Sequence, residues 1–383
     1  MLKRRTLLKL LPGPMLPAVS PVVGLWPQSA AQAQVPLTII EPDLGPAVPL
    51  KLPLDHGAHL AYESEWWGLK GEVPQAGGQP LGFHITFFRG RVESAEHNPS
   101  RFAPKHVIAA RASLSDPANG LLLHDQRMAR VGFGLVDVAE NDLSVTLQDW
   151  SLVRSGPVAQ SVFTVHVAAQ DFTLNLRGTQ TQPPMLHGDK GFIRRERTLL
   201  DSTRYYSQPF LKLEGQIQYG QRKVAANGRA WLDHGWGRSQ LAPGAAGSDW
   251  IGVHLNDGSA LMVFRMRRED GISVWESASL RKPGQPDRAF KHEEIRLTPG
   301  DTWRSPATGA QYPMNWRIEL AGTVYKVKAR RREQEMDGGN GVGDVFWEGL
   351  CDLLDAKDQV IGAGFLEMSG YVNDAQTGNG PGN

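Results

Sequence analysis

Short runs in which apolar and polar residues alternate, separated by turn formers, recur from about Tyr62 to Tyr371, and this two-residue period narrows the possible folds more than any other feature. In "LGFHITFFRG" it puts Phe83, Ile85 and Phe87 on one face of a strand and His84, Thr86 and Phe88 on the other. "LSVTLQDWSLV", "SVFTVHVA", "FTLNLRG", "LKLEGQIQYG" and "DWIGVHLNDGSALMVFRMRR" continue the pattern, and Asp257-Gly258 in the last is a hairpin turn signal. Helical spacing is scarce. "VFWEGLCDLLDAKD" sets Phe346, Leu350, Leu353 and Leu354 at helical intervals but also reads as two strands around Asp355-Ala356-Lys357-Asp358, and we take the strand reading. Many short strands mean an all-β chain, whose sheets avoid open edges by closing into barrels or sandwiches. An eight-stranded barrel can hold one small ligand.

With 383 residues the chain exceeds one ordinary core, and two domains of about 150 to 180 residues each are expected. The start, "MLKRRTLLKLLPGPMLPAVSPVVGLWPQSAAQAQ", has a basic head, an apolar stretch and the small-residue pattern Ala31-Gln32-Ala33, as an export signal does. Lys3-Arg4-Arg5-Thr6-Leu7-Leu8-Lys9 fits the twin-arginine type, so residues 1–33 are expected to be removed and the mature chain to be periplasmic or secreted. Residues 34–54 are proline-rich and aperiodic, an extended lead-in. Pro183-Pro184 and the polar turn after it suggest a seam, giving domains 55–188 and 189–371, followed by a disordered tail, 372–383. No later stretch approaches the ~20 apolar residues of a spanning helix, which leaves peripheral membrane association as the expected limit. With 41 basic and 40 acidic residues, the chain has no electrostatic footprint for nucleic acid. One cysteine, Cys351, cannot form an internal disulfide.

Three clusters carry chemistry. In "AWLDHGWG", read as a strand, His234 and Trp236 point one way and Asp233 and Gly235 the other, unless Gly235 marks a bulge that re-aims them. Two readings stand: a proton-handling pair beside an aromatic wall, or a core strand whose Asp and His satisfy backbone groups. "YESEWWGLKG" sets Glu63 and Glu65 ahead of Trp66 and Trp67, and consecutive tryptophans on a strand serve both faces. In "FWEGL", Glu348 lies beside Trp347; a carboxyl held against an indole would have a raised pKa and act as an acid, and the other reading is a solvent-facing glutamate. His56 and His59 lack a clear third ligand, so no metal is expected. There is no G-x-S-x-G elbow and no phosphate loop.

Taken in order, "DHGAH", "EWW.LKG", "GFHITFFR", "HGDKGF", "RYYS", "AWLDHGWGRSQL", "DWIGVHLNDGSALMVFRMR..DG", "WRSPATGAQYPMNWRI", "FWEGL" and "GFLEMSGY" resemble the lipocalin-like AttH and carotenoid 1,2-hydratase family from about Asp55 to Tyr371. The resemblance implies two lipocalin-like antiparallel β-barrel or sandwich domains packed together around an apolar pocket. It also implies hydratase activity on the terminal double bond of acyclic carotenoids, or guidance of a polyene cyclisation, with no cofactor. The family's His-x-Trp motif falls on His234 and Trp236, preceded by Asp233; with Glu348 these are the candidate catalytic residues. Candidate ligand contacts in the same motifs are Trp66, Trp67, His84, Tyr205, Tyr206, Trp250, Trp347 and Tyr371. The family commonly has an acid between that His and Trp, where this chain has Gly235. The expected function is binding of an apolar isoprenoid or lipid-like ligand with water addition to an alkene. The alternatives are a non-catalytic carrier of such a ligand and an accessory protein of an envelope transport system.

Overall fold

A computed structural model describes residues 45, 48–194, 202–238, 241–336 and 345–372. The export leader, most of the lead-in and the tail after residue 372 lie outside the described residues. The first thirteen strands are β1 (Ser64–Val73), β2 (Leu81–Arg91), β3 (His106–Asp116), β4 (Leu121–Arg130), β5 (Val136–Val138), β6 (Ser144–Leu147), β7 (Trp150–Ser155), β8 (Val162–Ala168), β9 (Phe172–Gln180), β10 (Met185–Leu186), β11 (Phe192–Arg194), β12 (Ser202–Tyr219) and β13 (Arg222–Gly237). They form one antiparallel sheet in the order β4-β3-β2-β1-β13-β12-β9-β8-β7-β6-β5, with β10 and β11 also paired to β12.

The rest are β14 (Gly247–Leu255), β15 (Ala260–Arg267), β16 (Ser273–Arg281), β17 (Arg288–Phe290), β18 (Ile295–Pro299), β19 (Thr302–Arg304), β20 (Gln311–Pro313), β21 (Asn315–Leu320), β22 (Thr323–Ala329), β23 (Glu335–Met336), β24 (Phe346–Leu354) and β25 (Val360–Ser369). The second sheet runs β17-β16-β15-β14-β25-β24-β22-β21-β18, with β23 on β24, while β19 and β20 pair separately. Each large sheet curls into a nearly closed antiparallel β-barrel, the expected all-β, lipocalin-like architecture. "FWEGLCDLL" is strand β24, and Asp257-Gly258 turns β14 into β15, with Gly258 at φ 84° in the left-handed region that glycine adopts freely.

The proline-marked seam at residue 188 falls inside the first sheet. Pro183-Pro184 lies in the connection between β9 and β10, and the chain then continues through β10, β11, β12 and β13 and crosses to the second sheet only after Gly237. β12 and β13, the longest strands of the first sheet, lie at its middle and join β9 to β1.

Phe83, Ile85 and Phe87 point inward with Trp67 and Leu69, as the alternation predicts. The opposite faces of β1 and β2 are buried too, beneath the second barrel. Tyr205 and Trp231 of the first barrel and Trp250, Met262, Leu350 and Phe365 of the second share one apolar cluster. Strands covered on both sides need every outward polar group paired, and that requirement shapes the site.

Candidate functional site

Two buried polar clusters lie back to back on β1 and β13. These strands pair antiparallel with Trp67 opposite His234 and Gly68 opposite Asp233. Since alternate residues face opposite ways, Glu65, Trp67, His234 and Trp236 look into one end of the first barrel, while Trp66, Lys70, Asp233 and Gly235 look toward the second.

At the barrel end, the Glu65 carboxylate organises the cluster. Its Oε1 lies 2.7 Å from His59 Nδ1 and 3.0 Å from His234 Nε2. Its Oε2 accepts from the His59 backbone N–H at 2.8 Å and from Arg89 Nε at 3.0 Å. His234 Nδ1 is 3.1 Å from the Tyr206 hydroxyl, which is 2.5 Å from His56 Nδ1, and Asp55 Oδ1 is 3.4 Å from His59 Nε2. His59 stacks flat on Trp236 at 3.8 Å, and Trp67 stacks on His234 at 5.0 Å. Burial works against charge on Glu65, but the two imidazoles outweigh it and hold its pKa at about 2. His59 also loses hydration, yet Asp55 and Glu65 raise its pKa above the ordinary value. Burial keeps His234 below its ordinary value and Tyr206 well above its own. Asp55 to His59, the residues just after the lead-in, fill the space in front of His234, so His234 and Trp236 meet packed side chains there and not an open hollow.

At the junction of the barrels, three donors converge on Asp233 Oδ1: Tyr205 Oη at 2.8 Å, Ser207 Oγ at 2.6 Å and Trp231 Nε1 at 2.9 Å. Asp233 Oδ2 faces Lys70 Nζ at 3.1 Å. Lys70 also pairs with Glu367 of β25, and its ammonium sits 3.4 Å from the centroid of the Trp250 ring. Burial opposes the Lys70 charge, but Glu367 and Asp233 prevail and raise its pKa. Beside Lys70, His84 Nδ1 contacts Glu348 of β24, and His84 Nε2 lies 3.0 Å from Thr86 Oγ1 and 3.7 Å from Glu367. Arg111 reaches Glu348 Oε1 at 2.7 Å. Trp250 Nε1 donates to Tyr205 at 2.9 Å, and burial raises the Tyr205 pKa well above its usual value. Ser207, His187 and Asp233 do not form a nucleophile triad, because the hydroxyl sits between the other two and donates to the carboxylate.

The predicted residues therefore divide. His234, Trp236, Trp67 and Tyr206 are at the barrel end; Asp233, Glu348, His84, Trp66, Tyr205 and Trp250 are at or beside the junction. Trp347 joins neither: it fills the second barrel's core and donates to the Arg332 carbonyl at 2.6 Å. Tyr371 donates to Asp249 at 2.8 Å, also within the second barrel.

Two expectations need correction. Gly235 makes no bulge, since its pairings with Trp66 and Tyr205 keep register on both sides. Glu348 does not rest against Trp347, since neighbours on a strand face opposite ways; burial raises its pKa, but Arg111 and His84 pull it down to about 2, so it is a carboxylate and not the acid. Sequence reasoning missed Lys70, Glu367, Arg89 and Arg111. The available signal was charge at positions where the alternation leaves no solvent-facing side, as with Lys70 two residues after Gly68.

Among the described residues, two groups each bring three possible metal-ligand side chains within 4.8 Å of one another: His59, Glu65 and His234, and His84, Glu348 and Glu367. In both, protein cations already serve the carboxylates, Arg89 on Glu65 and Arg111 and Lys70 on Glu348 and Glu367.

The AttH-like family profile matches residues 43–371. Among solved structures, an AttH protein from Nitrosomonas europaea superposes with a TM-score of 0.79 at 37% identity, covering 86% of this chain and 100% of that one. Kievitone hydratase from Nectria haematococca superposes with a TM-score of 0.63 at 15% identity, covering 85% of this chain and 94% of its own, a likeness of fold. A search of curated proteins finds no match.

Proposed function

The chain belongs to the AttH-like family, and we propose that it is a hydratase-like protein that brings an apolar isoprenoid or lipid-like molecule to the barrel junction and adds water across one of its carbon–carbon double bonds. The observation that carries this reading is His84, fully buried between Glu348 and Glu367 and flanked by Lys70, Asp233 and a wall of indoles. A histidine so placed can take a proton on one nitrogen and release one from the other. Glu367, the partly exposed member of the cluster, links it to solvent.

In the proposed step one alkene carbon takes a proton from His84, and the other becomes a cation. A water oxygen then bonds to that cation, the water's spare proton passes to the ionised Glu348, and Glu348 returns it to His84 Nδ1, which it contacts, so that both groups end as they began. The sum is one water added, with no oxidant or cofactor consumed. An aromatic face stabilises such a cation by on the order of 1 to 2 kcal/mol. Lys70 already occupies the face of Trp250, which leaves this role to Trp66. A void of about 10 Å³ beside Lys70, Trp231 and Phe365 is the size of one water. A larger molecule therefore enters only as the side chains of the junction part.

A carrier is the second reading. It is favoured by an open cleft of about 700 Å³ elsewhere on the first barrel, where Leu121, Leu123 and Phe172 line the wall beside Asp116, Tyr219 and Arg222. One experiment separates the two. The purified protein is incubated with an acyclic polyene in water labelled in its oxygen. A product heavier by one labelled water, lost in His84→Ala and Glu348→Gln, supports the hydratase. Product formation that survives both changes removes the junction from the reaction, and a bound but unaltered polyene makes the protein a carrier. Export behind the twin-arginine-like leader belongs to the same proposal, and N-terminal sequencing of the mature protein tests it.

A further inference from the structure

One edge of the first barrel gathers large apolar side chains that stay in water: Phe102 (58% exposed), Met128 (49%), Phe133 (49%) and Leu135 (44%). Phe102 and Phe133 come from different loops, yet their rings stack at 5.3 Å with 15° between planes. Cations bracket them. The Arg130 guanidinium lies 4.1 Å from the Phe133 ring and donates to the Phe102 carbonyl, Arg101 lies 5.4 Å from the Phe102 ring, and Lys105 is exposed at the foot of the same loop. Met128 shares the outer face of β4 with Arg130.

The backbone is bent to present this edge. Gly132, Phe133 and Gly134 have φ of 97°, 60° and 73°, three successive left-handed residues. Glycine takes that conformation freely, whereas a phenylalanine rarely does. The turn therefore holds a bulky ring outward and half exposed, in a backbone conformation that phenylalanine seldom takes.

We propose that this edge docks the protein on an anionic lipid bilayer, with Phe102 and Phe133 inserted at the interface and Arg101, Lys105 and Arg130 at the level of the lipid phosphates. Aromatic rings settle at the boundary between headgroups and acyl chains, and nearby cations add attraction to an anionic leaflet. The patch is two loop tips beside the end of β4. Stable protein partners bury about 800 Å² on each side, far more than two rings, a methionine and a leucine offer, while shallow membrane insertion needs only such tips. The proposal is independent of any reaction at the junction, because it is read out without substrate.

The test is flotation of the purified whole protein with vesicles of phosphatidylcholine mixed with phosphatidylglycerol, against vesicles of phosphatidylcholine alone. The wild type should float with the anionic vesicles, and the bound fraction should fall as salt screens the arginines. Phe102→Ser/Phe133→Ser and Arg101→Glu/Arg130→Glu should each weaken binding roughly tenfold or more, with unchanged circular dichroism confirming that both remain folded. No flotation of the wild type, or equal flotation of wild type and both variants, overturns the proposal. So does self-association of the wild type without vesicles that the phenylalanine variant abolishes, which would make the edge a protein contact.

Discussion

Asp233 and His234 share a peptide bond but no environment. Asp233 accepts from Tyr205, Ser207 and Trp231 and faces Lys70 at the barrel junction, while His234 is held by Glu65 and Tyr206 at the barrel end. Removing one partner of a buried pair leaves a charge without compensation, at a cost of about 3 to 5 kcal/mol. Asp233→Asn and Lys70→Met should each destabilise strongly, and the double variant should lose well under the sum. Asp233→Asn and Glu65→Gln, on opposite faces, should add to within about 0.5 kcal/mol. Urea denaturation of the two cycles measures both couplings. A Glu65 coupling as large as the Lys70 coupling would show that the faces communicate.

Acid should loosen the fold through histidines that the proposed reaction does not use. Burial lowers the pKa of His56 to about 3, and of His187 and His254 to about 4. Each ring stays neutral in the folded chain, whereas in the unfolded chain it takes a proton below 6.5. The unfolded state thus binds more protons from about pH 6.5 down to about pH 4, and stability falls with pH across that window. His59, with its raised pKa, contributes fully below 6.5 and loses its contribution as pH climbs through its folded value. Glu65 contributes above 4.5 and is lost as pH falls toward about 2. The decline from about pH 6.5 to pH 4 should reach a few kcal/mol. Urea midpoints measured along the pH series should show it, and His187→Gln should flatten the slope. A level profile in the wild type would mean that these rings are charged when folded.

Cys351 sits in the second barrel's core, and burial raises its thiol pKa far above the ordinary value. The thiolate is the reactive form. In the native protein Cys351 should resist maleimide, and labelling should appear only across the unfolding transition. Rapid labelling under native conditions would mean that the second barrel opens locally well below its global stability.

The two-residue period made much of this readable in advance. It assigned Phe83, Ile85 and Phe87 to the core and placed Asp233 and His234 on opposite faces, because side-chain direction along a strand is local. Pairing across a sheet is not local. β1 meets β13 across most of the first barrel's chain length, so nothing near Glu65 announced His234, and nothing near Lys70 announced Asp233. The junction adds a second non-local step, since Glu348 and Glu367 come from the other barrel. For that reason the indole beside Glu348 in the sequence was a poor guide to its acidity, and the guanidinium of Arg111 was the neighbour that mattered.

Gly235 tests the junction directly. A Cβ there would lie 2.3 Å from Cζ2 and 2.4 Å from Cη2 of Trp66, so the glycine exists to let that indole lie across the strand. A side chain at 235 points to the junction, on the face of Asp233 and away from His234. An acid at this position would thus stand where Trp66 now lies. Gly235→Ala should cost about 1 to 3 kcal/mol through overpacking, and Gly235→Asp should cost more because the clash is joined by a buried charge. Trp66→Ala opens the space, so Gly235→Asp/Trp66→Ala should recover much of the loss, measured as the urea midpoint against each single variant. Failure of the second change to relieve the first would mean that the indole is not what keeps residue 235 small.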